Sequence, residues 1–491
     1  MKLESSRRRD LLCLAVLYIV YLASMVVASI CTSPLYPHIY GDDSALFALL
    51  GKGVLEGKIL YADLFDHKGP FIFFINALGQ MLGGYYGIFA VQCICGFVSM
   101  AFLYFTAKML DTTGKPALAY LAIFAAVYVV FFRVFQQGNL TEEYSQPAIS
   151  AALYMFVKYG LRVKENPDHP PLYAFFYGIF FMALAFLRLT NAATVCAGIL
   201  AIFVYLICKK RFRNLLWNLL AGLGGMAVVA VPVGLYFLAY GALYDMIYAT
   251  FLYNANIVGK TGVASILDNL HRYIVLYLPM AITGLLLVVH IARERKVEFL
   301  DVLLGCVLAV NFYMFYLANR YPHYFAIYVP VYLVFLARYF RLALKRAATY
   351  VILFAIFLCT FYNLQDQYYM VTSNLHYSYV SKSSQILYES IREVTDHIPE
   401  EERDSVIGYQ MPVSYYMLAD IVPCHKYYTW QETWAVVDPE ILTEFMDWIQ
   451  TENPTWILVT PQEDNETILA LLDSRYEAVA GNDRLVSYRL K

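Results

Sequence analysis

The residues best suited to chemistry lie together in one polar stretch between the first two long apolar segments of the sequence. An acidic pair, Asp42 and Asp43, opens this stretch, and Asp66, His67 and Lys68 close it just before a proline. Ionisable side chains held beside apolar segments are costly, and they commonly mark a functional site. We therefore expect this stretch to carry the chemistry of the protein, with the apolar segments building a lipid-facing cavity beside it.

The acidic pair has two interpretations. A carboxylate just outside a membrane can act as a general base that removes a proton from an acceptor hydroxyl or amine. Alternatively, Asp42 is only the N-cap of a short helix, where the helix dipole also favours a negative charge. The sequence supports both interpretations equally, because an acidic pair alone is not a specific motif.

The Asp66-His67-Lys68 triplet is the second candidate. Lys68 could hold a phosphate group as a point charge, whereas Asp66 and His67 could bind a metal ion or orient an acceptor. The alternative is an interfacial turn whose charged ends reach into water. The nine cysteines show no metal-ligand spacing, so the sequence identifies no particular metal.

Further candidates lie between later apolar segments. Glu142 and Glu143 could form a second acidic wall or ligate a metal, or they could belong to a solvated loop. Arg188 interrupts an apolar run, where a guanidinium needs a partner, either a lipid phosphate or one of the acidic side chains. Arg320 and His323 in the segment NRYPHYF allow the same two interpretations.

The composition is that of a membrane protein. The 491 residues are 60% hydrophobic and only 15% charged, whereas soluble domains are roughly 45–50% apolar and about 25% charged. Residues 366–491 carry 21 acidic and 8 basic side chains, and the rest of the chain is net basic. The chain therefore combines a basic membrane part with an acidic soluble tail.

Eleven apolar segments predict membrane spans, each near the ~20 residues that cross the hydrocarbon core. The predicted spans are 11–30, 84–107, 116–135, 146–160, 172–187, 189–208, 217–240, 273–291, 300–318, 324–340 and 347–364. The positive-inside rule puts Arg7–Arg9 and every strongly basic loop in the cytoplasm. The first outer loop, residues 31–83, and the C-terminal tail then face the extracytoplasmic side together.

Two domains follow from this arrangement: a membrane domain at 1–365 and an extracytoplasmic α/β domain at 366–491. The first outer loop should contain two short helices. One is Asp42–Gly57, with leucines at helical spacing, and the other is Gly69–Gly83, which is too short to span the membrane.

The sequence pattern of the tail predicts strands at 406–409, 427–430, 456–459 and 485–490, and helices at 412–419, 439–450 and 466–472. Asp438 should be the N-cap of the second of these helices, with Pro439 as its first residue. Lone thiols at Cys31 and Cys424 are favoured over a disulfide between them.

With these features the chain resembles the polytopic GT-C glycosyltransferases, specifically the protein O-mannosyltransferase and aminoarabinose lipid A transferase superfamily (glycosyltransferase family 39-like). The acidic pair is followed by LEGKILYADLFDHKGPFIFFINALG. In it, Gly57, Tyr61, Lys68 and Pro70 stand at the places of the family's glycine, tyrosine, lysine and proline. The segment NRYPHYFAIYVP is similar to the family's final tyrosine-to-proline segment.

The resemblance implies a transferase of hexosyl or pentosyl groups that uses a polyprenyl-phosphate sugar, on a GT-C-like fold of about eleven transmembrane helices. Asp42 matches the family's catalytic base, and Lys68 matches the lysine near the donor phosphate. The family usually has Glu where this chain has Asp43, and Glu or Pro where it has Asp66 and His67. These departures leave the acceptor and any metal open.

Such a reaction requires no nucleotide and no other cofactor; a divalent metal is allowed but not required. The expected partners are a polyprenyl-phosphate sugar, membrane lipid and an unidentified acceptor, which is a lipid, a cell-envelope glycan or a protein, and nothing indicates nucleic acid. Two other functions remain open: a transporter or flippase of a lipid-linked sugar, and a non-catalytic envelope scaffold. The transporter is disfavoured because the charges cluster in loops and no internal repeat is visible.

Overall fold

The computed structural model describes residues 2–110, 138–260, 266–317, 322–340, 372–373, 375–376 and 382–491. Helices dominate the described chain. In chain order they are α1 (Lys2–Ala28), α2 (Asp42–Leu55), α3 (Pro70–Gly83), α4 (Tyr85–Leu110), α5 (Thr141–Arg162), α6 (Pro171–Arg188), α7 (Ala193–Cys208), α8 (Phe212–Ala239), α9 (Leu243–Ile247), α10 (Tyr253–Lys260), α11 (Ile266–Glu294), α12 (Phe299–Leu317), α13 (Val329–Phe335), α14 (Lys382–Thr395), α15 (Val413–Ala419), α16 (Gln431–Ala435), α17 (Glu440–Glu452) and α18 (Glu466–Arg475).

Shorter irregular helices and four strands complete the described elements. The strands are β1 (Val406–Tyr409), β2 (Trp456–Val459), β3 (Tyr476–Gly481) and β4 (Val486–Leu490). The 3₁₀-helices are Leu189–Ala192, Pro322–Tyr328 and Glu400–Ser405, and the π-helices are Tyr248–Leu252 and Leu336–Phe340.

The chain divides into two compact units. The helical unit comprises residues 1–29, 91–234 and 263–375, and the α/β unit comprises residues 30–90, 235–262 and 376–491. The α/β unit therefore joins the first predicted outer loop to the C-terminal tail. The predicted boundary at 365/366 lies outside the described residues and stays a prediction.

Five described segments are long and apolar enough to cross a membrane: Arg7–Ala28, Tyr85–Leu110, Pro171–Cys208, Phe212–Ala239 and Tyr277–Glu294. The predicted spans 116–135 and 347–364 lie outside the described residues. The protein is thus a multi-pass α-helical membrane protein, while the count of eleven spans and the orientation of the termini stay predictions.

Close packing in the helical unit depends on glycines. A Cβ atom added to Gly178 on α6 would lie 2.0 Å from the carbonyl oxygen of Gly222 on α8. One added to Gly225 on α8 would lie 1.9 Å from the carbonyl oxygen of Phe175. In a membrane, small residues of this kind allow two helix backbones to approach and gain van der Waals contact.

We predict that Gly178→Ala lowers the melting temperature of the purified protein in detergent. The added methyl group must push α6 away from α8, and overpacking of this kind costs about 1–3 kcal/mol. Gly234→Ala on α8 is the matched control, because a Cβ atom there meets nothing within 4 Å. A melting temperature that falls equally in both variants, or in neither, would contradict the prediction.

A mixed four-stranded sheet organises the C-terminal part of the α/β unit, in the order β1-β2-β4-β3. β1 pairs with β2 in parallel, and β4 runs antiparallel to both β2 and β3. Every residue of the apolar segments VIGY (β1) and WILV (β2) is buried, as expected for parallel strands covered on both faces. The small C-terminal sheet domain expected from the sequence is confirmed.

The strand predicted at 427–430 is wrong. Trp430 has a φ angle of 46°, a left-handed conformation that a strand does not allow and that a bulky residue rarely adopts. Side chains replace the strand ladder here: Thr429 Oγ1 donates to the Met411 carbonyl at 2.7 Å, and Gln431 Nε2 donates to the Gly408 carbonyl at 2.9 Å. These contacts come from residues about twenty positions away, so local β-propensity could not reveal them.

The helix predicted from Pro439 begins one residue later. α17 starts at Glu440, with Pro439 as its N-cap rather than its first residue. Asp438 still caps locally, since its Oδ1 accepts the Glu440 N–H at 3.2 Å. Strand β3 and helix α14 were not predicted. Most residues of β3 are exposed, so the strand shows no apolar alternation. Helix α14 is amphipathic, and its helical periodicity was overlooked.

Helices α2 and α3 confirm the two short helices expected in the first outer loop. They pack closely: a Cβ atom on Gly51 would lie 2.8 Å from the Ala77 backbone nitrogen. Helix α2 also contacts the sheet domain within the same unit, where Lys52 Nζ lies 2.5 Å from Asp420 Oδ1. The polar stretch singled out in the sequence is therefore held on a folded support.

Candidate functional site

The acidic pair lies in the first turn of α2. The N-cap is Gly41, and no side chain caps the helix. The N-cap interpretation of Asp42 is therefore wrong, because Asp42 is already the first helical residue. Both carboxylates remain in the favourable field of the helix N-terminus, and their side chains are left available for other contacts.

Two left-handed residues shape the loop between α2 and the triplet. Gly57 has a φ angle of 88°, which glycine adopts without strain, and Tyr61 has a φ angle of 70°. The loop is closed by backbone bonds, since the Tyr61 N–H donates to the Leu64 carbonyl at 2.8 Å and the Asp63 N–H donates to the Ile59 carbonyl at 2.8 Å. These backbone bonds hold the loop in one conformation, and the loop thereby positions Asp66, the first residue of the triplet.

Lys68 is the centre of the cluster. Its Nζ lies 3.6 Å from Asp43 Oδ1 and 3.8 Å from Asp66 Oδ2. It also lies 5.6 Å from the centre of the Phe47 ring, within the range of a cation–π contact. Lys68 and Asp66 are largely buried, with side-chain exposures of 11% and 1%, whereas that of Asp43 is 32%.

Asp66 is wholly inside the unit. Its Oδ1 accepts the Lys68 backbone N–H at 2.8 Å, and its Oδ2 lies 3.6 Å from His67 Nδ1. Burial raises the pKa of Asp66, although the Lys68 ammonium and the backbone N–H oppose this rise. A buried carboxylate is strongly destabilising when its cation is removed, so Asp66 and Lys68 form one interdependent ion pair.

Asp42 has a different environment. Partial burial raises the pKa of its carboxyl group above the usual range, and repulsion from the adjacent Asp43 carboxylate raises it further. Lys68 contacts Asp43 rather than Asp42 in the described geometry. The pair therefore contains one carboxylate, Asp43, that lies beside the Lys68 ammonium and one, Asp42, whose pKa is raised by its surroundings.

Glu142 and Glu143 belong to the helical unit. Of the two interpretations, the solvated loop is wrong, because both residues lie in the first turn of α5 and are only 2% and 4% exposed. Glu143 Oε2 accepts hydrogen bonds from Gln92 Nε2 and from the Leu140 N–H, each at 2.9 Å. Burial removes the water that would solvate these carboxyl groups, so hydrogen bonds and ion pairs must replace that solvation.

Arg188 meets one of these acids. Its Nη1 lies 3.2 Å from Glu142 Oε1, and its guanidinium lies 3.9 Å from the centre of the Tyr324 ring. The salt bridge weighed in the sequence is thus present, and a role toward lipid phosphate stays untested. His323 lies in the 3₁₀-helix Pro322–Tyr328 with its ring 4.6 Å from Tyr324, and Arg320 lies outside the described residues.

Other contacts of the triplet, and of Phe65 just before it, were not expected from the sequence. Asn254 Nδ2 donates to the His67 carbonyl at 2.6 Å, and the Tyr61 hydroxyl donates to the Lys68 carbonyl at 2.9 Å. The Phe65 N–H donates to the carbonyl of Lys426 in the C-terminal domain at 2.9 Å. Tyr61 was identified only through the family motif, and no sequence pattern marks Asn254 or Lys426.

A family match accompanies this geometry. The family described as "Putative competence-induced protein Ccs4 N-terminal domain" matches residues 4–350, which is well over half of the chain. The chain belongs to this family. The Ccs4 match includes α2, the triplet and the Glu142–Arg188 pair. A comparison with curated protein sequences gives no match.

Solved structures resemble this Ccs4-family protein at low sequence identity. ArnT from Cupriavidus metallidurans, in a crystal structure bound to undecaprenyl phosphate, is 13% identical over 97% of both chains, with a TM-score of 0.59. The oligosaccharyltransferase AglB from Archaeoglobus fulgidus, in complex with an inhibitory peptide and a dolichol-phosphate, is 13% identical over 98% of this chain and 74% of AglB, with a TM-score of 0.52. Such identity shows the fold alone, and the GT-C-like fold expected from the sequence is confirmed.

Cys31 and Cys424 form no disulfide, as predicted. Among the described residues, no three side chains of His, Cys, Asp or Glu come together as metal ligands. The metal prediction stays open.

Proposed function

We propose that this Ccs4-family protein is a membrane glycosyltransferase that moves a hexosyl or pentosyl group from a polyprenyl-phosphate donor to an extracytoplasmic acceptor. One observation carries the proposal: a nearly buried ammonium, Lys68, lies beside an acidic helix start on a GT-C-like fold. The solved relatives bound to undecaprenyl phosphate and dolichol-phosphate support a polyprenyl-phosphate partner.

Lys68 is proposed to bind the donor phosphate. The Asp66 carboxylate is buried and stays paired with the Lys68 ammonium. The Asp43 carboxylate also contacts this ammonium, but its side chain is about one-third exposed to solvent. An incoming phosphate would take the place of Asp43 beside the ammonium. A fixed positive charge there stabilises the negative charge that develops on the leaving phosphate.

Asp42 is proposed to act as the general base. It takes the proton of the attacking acceptor hydroxyl or amine while the acceptor atom forms a bond to the anomeric carbon. The bond between the anomeric carbon and the phosphate oxygen breaks, and polyprenyl phosphate leaves with the electron pair. The configuration of the anomeric carbon is inverted, and the protonated Asp42 returns its proton to water.

No nucleotide or other cofactor is required by this reaction, because the donor already carries its phosphate leaving group. A divalent metal is allowed but not required, and dialysis against a chelator followed by metal addition decides this point. Glu142, Glu143, Arg188, Arg320 and His323 remain candidates for acceptor or donor contacts.

We predict that the transfer rate rises with pH and levels off above an apparent pKa higher than that of an ordinary aspartate. The base works only when it is deprotonated, and both partial burial and Asp43 raise the pKa of Asp42. The pH dependence of single-turnover transfer measures this value. A rate that falls as the pH rises through the mildly acidic range would contradict the assignment.

The function is tested with purified protein in proteoliposomes. Radiolabelled polyprenyl-phosphate hexoses and pentoses are supplied with cell-envelope extract as acceptor. Label that moves to the extract supports the transferase, and the labelled product identifies the acceptor. Labelled lipid that crosses the bilayer without transfer indicates a flippase instead, and the absence of both activities favours the scaffold.

A further inference from the structure

A π-helical turn in the α/β unit directly precedes the segment that contacts the triplet. It comprises Tyr248–Leu252, between α9 and α10. Single π-helical turns within helical segments are rare and often occur at functional sites. The residue pair that follows this turn, Tyr253 and Asn254, makes the contacts on which the inference depends.

Asn254 connects the turn to the triplet. Its Nδ2 donates to the Thr250 carbonyl at 2.9 Å, lies 3.3 Å from the Ala249 carbonyl, and makes its shortest contact, 2.6 Å, with the His67 carbonyl. The amide group therefore joins two segments that lie 187 positions apart in the sequence. Because the Asn254 side chain is itself held by its own helix, it presents a fixed donor to the loop.

The backbone around Lys68 is restrained at three successive polar groups. Asn254 holds the His67 carbonyl, the Asp66 carboxylate holds the Lys68 N–H, and the Tyr61 hydroxyl holds the Lys68 carbonyl. Because the Lys68 backbone is restrained on both sides, its side chain is directed into the gap between Asp43 and Asp66. Asn254 is the one member of this set that comes from outside the first loop.

The segment formed by the π-helical turn and the start of α10, which carries Asn254, is anchored in the C-terminal domain. The Tyr253 hydroxyl donates to the Trp434 carbonyl at 3.2 Å, and the Tyr248 hydroxyl donates to Asp438. Phe65, just before the triplet, packs edge-on against Tyr253 and Trp434, with ring centres 5.5 and 5.1 Å away. Contacts with the C-terminal domain therefore hold the residues that position the Asn254 amide.

We propose that Asn254 is a positioning residue, which holds Lys68 in the donor-phosphate site through the His67 carbonyl. The benefit for transfer rests on the proposed function, whereas the restraint on Lys68 can be measured without it. A purely structural role, in which Asn254 only caps its own π-helical turn, would loosen the turn and leave Lys68 unchanged.

The test is competitive acetylation of the lysines in the full-length protein, with the modified lysines measured by mass spectrometry. Lys52 is the internal reference, because it belongs to the same unit and is held by Asp420 at 2.5 Å. Asn254→Ala should raise the labelling of Lys68 relative to Lys52 by about fivefold, the factor expected for the loss of one hydrogen bond. The KM for the donor should rise by a similar factor while the pH dependence of kcat keeps its shape.

Asn482→Ala is the matched control. Asn482 Nδ2 donates to the Ser390 carbonyl at 2.7 Å, so the variant removes the same kind of bond far along the chain from the triplet. Unchanged labelling of Lys68 in Asn254→Ala overturns the proposal, as does an equal rise at Lys52 or in Asn482→Ala. A selective rise at Lys68 in a protein that transfers no sugar supports the positioning role and rejects the proposed function.

Discussion

Asp42→Asn is expected to lower the rate of sugar transfer by about 10²–10⁴-fold, the usual contribution of a general base. The amide keeps the size of the side chain but cannot accept the proton of the attacking acceptor. The variant should fold normally, because Asp42 caps no helix and Lys68 is paired with Asp43 and Asp66 instead. Single-turnover transfer in proteoliposomes measures the loss, and the binding of polyprenyl phosphate should persist.

Asp473→Asn is a matched control for this experiment. Asp473 is an exposed aspartate on α18 of the same unit, and the substitution removes the same charge without touching the cluster. Asp42→Asn activity within a factor of about three of wild type would reject Asp42 as the base, because such a difference is less than 1 kcal/mol of transition-state stabilisation. A parallel loss in Asp473→Asn would assign the effect to net charge.

Lys68→Met is expected to abolish donor binding and to destabilise the α/β unit. Its ammonium is the cation that the structure places against Asp66, a carboxylate with 1% side-chain exposure. Removing one partner of a buried ion pair leaves the other charge uncompensated, at a cost of about 3 kcal/mol. The melting temperature in detergent should therefore fall, and polyprenyl phosphate should no longer raise it.

The double variant Asp66→Asn with Lys68→Met separates these two effects. Neutralising both partners removes the buried charge, so the melting temperature should recover much of its loss while donor binding stays absent. Lys68→Arg keeps the charge and should keep part of the binding. If Lys68→Met still binds polyprenyl phosphate with wild-type affinity, Lys68 is not the phosphate ligand.

Much of the local structure around the site could be predicted from the sequence. Leucines at helical spacing after Asp42, and an apolar segment after Pro70, predicted α2 and α3 because helix periodicity is encoded within a few turns. The buried strands β1 and β2 were equally visible as short apolar runs. The acidic pair and Lys68 were visible because charged side chains are rare in so apolar a chain.

Burial and long-range contacts required the tertiary structure. The sequence left a solvated loop open as one of two interpretations of Glu142 and Glu143, whereas packing buries both at the start of α5. It predicted a strand where Trp430 is left-handed, because side chains from other segments replace the strand ladder. The Asn254 side chain reaches the triplet through the His67 carbonyl, and the Lys426 carbonyl accepts the N–H of Phe65, just before the triplet. Such contacts leave no pattern in the sequence because a carbonyl group is present in every residue. The sequence by itself thus determined which side chains are available for chemistry, and the tertiary structure decided which of them are held together.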